Sequence, residues 1–75
     1  MSLEAIVQIV RTIIQFIPTK GAGIWLGDKN KNKIVDVTVT IETNGGKKMD
    51  FGPFDIPMAD VGSLTEQVLG LVGGD

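Results

Sequence analysis

The stretch "KIVDVTVTIETNGGKKMDFGPFDI", residues 33–56, decides how this chain folds. Within its first part, 33–42, the residues from Val35 onward alternate strictly: Val35, Val37, Val39 and Ile41 on one side, Asp36, Thr38, Thr40 and Glu42 on the other. Period-two alternation marks a strand with one buried face. "TNGG", 43–46, reads as a turn, and 47–56 as a second strand whose first apolar members are Met49 and Phe51. Pro53 has no N–H for a ladder, so this strand is an edge or bends there. A two-residue Asn44-Gly45 turn would set Ile41 against Lys48 and mix core with solvent. A three-residue loop, Asn44-Gly45-Gly46, sets Ile41 against Met49, Val39 against Phe51 and Glu42 against Lys48. Faces then match, charges pair, and a glycine is available for a left-handed position.

Working outward, "IWL", 24–26, reads as a short strand after the connector "PTKGAG", 18–23. Pairing Leu26 with Val35 and Ile24 with Val37 keeps apolar side chains together, sets Asp28 against Lys33, and leaves 29–32 as the hairpin tip. Trp25 then faces away from the core, across from Asp36. The same register carried through the second hairpin puts Phe54 across from Asp36 and Ile56 across from Ile34. The far face would carry an apolar cluster of Trp25, Ile34, Phe54 and Ile56, which needs a cover.

Residues 2–17, "SLEAIVQIVRTIIQFI", read as a helix capped by Ser2, with Glu4 in its first turn and Pro18 beyond its end. At about 100° per residue, Glu4, Gln8, Arg11 and Gln15 fill a stripe only about 60° wide. The apolar arc spans about 200°, roughly twice what covering one sheet needs. Ala5, Ile9 and Phe16 lie together at one margin of that arc. "SLTEQVLGLVGG", 63–74, reads as a second helix with a Ser63/Glu66 capping box, an apolar stripe of Leu64, Val68, Leu71 and Val72, and a glycine stop. This helix is expected either to cap the Trp25 end of the far face or to lie beside the first. The expected fold is α+β: one small domain over 1–75, a three-stranded antiparallel meander flanked by two helices.

Composition narrows the chemistry. Among 75 residues there is no cysteine and no histidine. Disulfides, thiolate ligands, and the commonest metal ligand and general base are therefore all missing. So small a chain buries only about 60% of its unfolded surface and usually needs a staple or a partner. A net charge of −2 and no aromatic residue interleaved with Lys29, Lys31 and Lys33 argue against nucleic acid. The first helix lacks the basic flank of a signal sequence and is interrupted by polar residues, so neither export nor a membrane span is expected, and a cytoplasmic location is.

The loop 27–36 places Asp28, Asn30, Asn32 and Asp36 at even positions, an arrangement that invites comparison with a calcium loop. Lys33 occupies the glycine position and Val39 the position of the bidentate glutamate, and three lysines repel a divalent ion. A lysine-rich hairpin tip accounts for it better. Ser2 and Ser63 serve as caps, and no nucleophile–base pair is present, so no enzyme and no cofactor are expected. The sequence points to a self-associating interaction module, with Ala5, Ile9, Phe16, Trp25, Ile34, Phe54 and Ile56 as candidate contacts. The alternative is a small ligand- or calcium-binding module using the 28–36 loop or a Trp25/Phe54 platform.

Overall fold

A computed structural model describes residues 2–27 and 33–72. The order is α1 (Leu3–Phe16), β1 (Thr19–Leu26), β2 (Ile34–Thr43), β3 (Lys48–Pro57), a 3₁₀ turn (Met58–Asp60) and α2 (Val61–Val72). The fold is α+β, with a three-stranded antiparallel sheet in the order β1-β2-β3.

Ser2 caps α1 as its position suggests: its Oγ accepts from the Ala5 amide at 3.2 Å. At the other end the Ile17 amide donates to the Ile13 carbonyl at 2.9 Å, and the chain turns extended before Pro18. Ile6, Val7 and Val10 are buried, with Leu3, Ile13 and Ile14 packed beside them. The flank of the apolar arc that serves the core is thereby settled.

The β2–β3 hairpin closes on the three-residue loop 44–46. The Thr43 amide donates to the Lys47 carbonyl at 2.8 Å, and the Gly46 amide donates to the Thr43 carbonyl at 2.9 Å. Gly46 takes φ +84°, the left-handed conformation the loop requires. Ile41 faces Met49, Val39 faces Phe51 and Glu42 faces Lys48, as alternation alone implies.

Beyond Phe51 the expected register fails. Between the Val39–Phe51 and Val37–Phe54 pairs, β2 contributes Thr38 while β3 contributes both Gly52 and Pro53. This bulge inserts one residue and so moves every later side chain to the opposite face. Ile56 lies across from Val35, not Ile34, and is 0% exposed. Phe54 lies across from Val37 and packs against the core. Gly52 is required at the bulge: it adopts φ +125°, and a Cβ there would lie 2.7 Å from the Val37 carbonyl oxygen.

β1 also departs from expectation. It begins at Thr19 rather than Ile24: Thr19 and residues 21–23 pair with β2, with a register shift at Lys20 between them. Leu26 faces Val37 and Ile24 faces Val39, a slip of two residues from the expected pairing. A two-residue slip preserves which side chains face the core. Trp25 therefore still faces away, but across from Thr38 rather than Asp36. The Gly27 amide donates to the Asp36 carbonyl at 2.7 Å and closes the ladder.

α2 starts at Val61, earlier than the capping-box reading. Ser63 lies inside the helix, where its Oγ accepts from Gln67 Nε2 at 3.1 Å. The glycine stop at Gly73-Gly74 falls outside the described residues. α2 lies against β1 and beside α1, and Leu64 and Val68 join the same core as Val35, Val37, Val39 and Ile41. Each fully buried aliphatic side chain contributes roughly 1.5–3 kcal/mol from burial. Thr43, the buried polar residue, is satisfied: its Oγ1 accepts from the Lys47 amide at 3.1 Å.

Candidate interaction surface

With both helices serving the valine face, the far face of the sheet is left to solvent. Most of it is polar. Thr40 Oγ1 donates to Asp50 Oδ1 at 2.7 Å, Glu42 faces Lys48, and Asp36 faces Asp55. Trp25 is an exception, 66% exposed beside polar neighbours. Its indole leans along its own strand: a Cβ on Gly23 would lie 3.9 Å from Trp25 Nε1. A shallow depression of about 230 Å³ runs past the ring, lined by Gly21, Ala22, Gly23, Trp25, Thr40, Glu42 and Lys48.

The expected apolar cluster of Trp25, Ile34, Phe54 and Ile56 is not assembled. Phe54 and Ile56 are on the core face because of the bulge. A platform built from Trp25 and Phe54 is excluded for the same reason, since the two rings lie on opposite faces. Ile34 stays on the far face and is exposed, but four residues from Thr38, about 13 Å along the strand at 3.3 Å per residue. Its neighbours are instead Pro57 and Met58, next to an apolar depression of about 460 Å³ lined by Lys33, Pro57, Met58 and Ala59.

On α1, Ala5 and Ile9 are half-buried, and Phe16 is 78% exposed. The margin singled out from the helical pattern is therefore the one turned away from the core. Asp28, Asn30 and Asn32 of the loop lie outside the described residues. Among the described residues, no group of three or more acidic, histidine or cysteine side chains could hold a metal ion. No described helix is long and apolar enough to cross a membrane.

The two edges of the sheet differ. Antiparallel ladders alternate, so every second residue of an edge strand turns its N–H and C=O outward. The Thr43–Lys47 and Gly27–Asp36 bonds fix that alternation. On β3 the outward positions are Lys48, Asp50, Pro53 and Asp55. A bulge, a proline without a donor, and charged side chains are the features that block pairing with another strand. On β1 the outward positions are Ala22, Ile24 and Leu26, and the strand's one charged residue is Lys20. An open edge at the first or third strand is expected from the sequence, but residues 19–23 are missed as part of it because glycine is depleted in strands. Its signal was present all the same: Ala22, Ile24 and Leu26 alternate with Gly21, Gly23 and Trp25.

No protein-family model matches the chain, and no significant match is found among curated proteins or solved structures.

Proposed function

We propose that this chain is a non-enzymatic interaction module that assembles with copies of itself. The observation that carries the reading is the unguarded β1 edge, flanked by Trp25 at 66% and Leu26 at 45% exposure. Exposed large apolar side chains beside an open strand edge are what association covers. Phe16, with the half-buried Ala5 and Ile9 farther along the same margin, offers a second apolar strip on α1. The absence of cysteine and histidine from the sequence supports a role other than catalysis.

The test is absolute mass in solution, by light scattering after size exclusion, at two well-separated concentrations. A defined oligomer is the expected result. A monomer at both concentrations overturns the proposal. An Ile9→Lys variant locates the strip: if α1 takes part, the oligomer dissociates while strand content holds.

A further inference from the structure

We propose that β1 pairs antiparallel with β1 of a second copy, about a two-fold axis at Gly23, so that two sheets join into one. This deepens the assembly reading and rests on it.

Backbone geometry supplies the first argument. Ala22, Ile24 and Leu26 turn their amides and carbonyls outward, whereas Gly23 and Trp25 spend theirs on Thr40 and Thr38 of β2. An antiparallel partner must therefore bond even-numbered positions to even-numbered positions. An axis at Gly23 does so, pairing Ala22 with Ile24 of the second copy and Ile24 with its Ala22.

Side-chain volume selects this register. On the far face Trp25 comes opposite Gly21 of the second copy. A Cβ on Gly21 would meet nothing within 4 Å, so the space above it is open to an indole. Moving the axis to Ile24 would set Trp25 opposite Gly23, where the second copy's own indole already lies 3.9 Å from the Cβ position. On the core face a large residue again meets a small one, Ile24 against Ala22. An aromatic ring covering a cross-strand glycine is a known way to stabilise a sheet.

Charge and closure agree. The two copies of Lys20 stand at opposite ends of the seam, about 20 Å apart at 3.3 Å per residue and well beyond the roughly 8 Å screening length at physiological salt. The guarded β3 edge does not offer the complementary surface that head-to-tail growth needs. The pairing is thus isologous and closes at two copies.

The test reads individual amides of the unmodified protein by hydrogen exchange, at a dilute and a concentrated condition, beside the mass measurement. Gly23 and Trp25 amides are bonded to β2 in either state and should not change. Ala22 and Ile24 amides should slow by at least about tenfold at the higher concentration, because only association bonds them. A second measurement uses Gly23→Cys. The unmodified sequence has no cysteine, so a disulfide can form only between copies. A closely spaced antiparallel pair suits disulfide geometry, and oxidation should yield a covalent dimer, with Ser63→Cys on exposed α2 as the control that does not. Fast Ala22 and Ile24 exchange in a protein whose mass is dimeric overturns the seam and leaves assembly standing. The same holds if the Gly23→Cys variant is dimeric by mass yet fails to cross-link. A monomer at every concentration overturns both.

Discussion

β1 and β3 flank the same central strand and are opposite in kind. β3 closes its outer side with a bulge at Gly52-Pro53 and with Asp50 and Asp55, and it turns Ile56 fully into the core. β1 has no bulge between Gly21 and Leu26, keeps its outward amides free of proline, and leaves Leu26 and Trp25 substantially in solvent. A sheet of three strands must have two edges. This protein blocks one of them with a bulge, a proline and acidic side chains, and leaves the other without these features from Gly21 to Leu26.

Substitutions at matching places on the two strands sharpen the contrast or break it. The largest effect belongs to Ile56→Ala, which should cost about 4 kcal/mol, because the side chain is fully buried and its truncation leaves a cavity in the core. Leu26→Ala, at the corresponding core-facing side of β1, should cost under about 1 kcal/mol. Equal losses in urea unfolding would show that β1 is as well covered as β3. Next comes Gly52→Ala, expected to cost about 3 kcal/mol, since it strains a positive φ and drives a methyl group into the Val37 carbonyl.

Gly23→Ala should have the opposite sign. The added methyl meets only Trp25 Nε1 at 3.9 Å and φ is ordinary, so a gain of roughly 0.5 kcal/mol is expected in dilute protein. A loss as large as that at Gly52 would mean that β1 is also under tight steric constraint. The smallest effect is Trp25→Ala, within about 0.5 kcal/mol for the dilute chain. Its consequence should appear instead in the mass measurement, as weakened association.

The parts legible without a structure were those where one residue too many or too few would have mixed polar with apolar. Val35 through Ile41, Met49 and Phe51 allow one hairpin register, and Gly46 supplies the turn that register needs. The end of β3 was not legible, because one extra residue at Gly52 exchanges the faces of Phe54 and Ile56. The Gly-Pro pair marks a bend but does not say which way the faces go. β1 was misplaced for the converse reason. A slip of two residues keeps every face, so hydrophobic pattern cannot tell Val35 from Val37 as the partner of Leu26. In α2, Ser63 resembled a cap, yet Val61 extends the apolar spacing of Leu64 and Val68 and begins the helix.

What the sequence by itself determined is the element order, the valine face, the Ser2 cap and the β2–β3 turn, because each rests on contacts within a few residues or on strict alternation. Only the tertiary structure decided that α2 lies beside α1 on one face, that Ile56 is core, and that β1 presents an open edge beside Trp25. Those outcomes depend on register and on which apolar surface another covers, and the same local pattern is compatible with more than one answer to either.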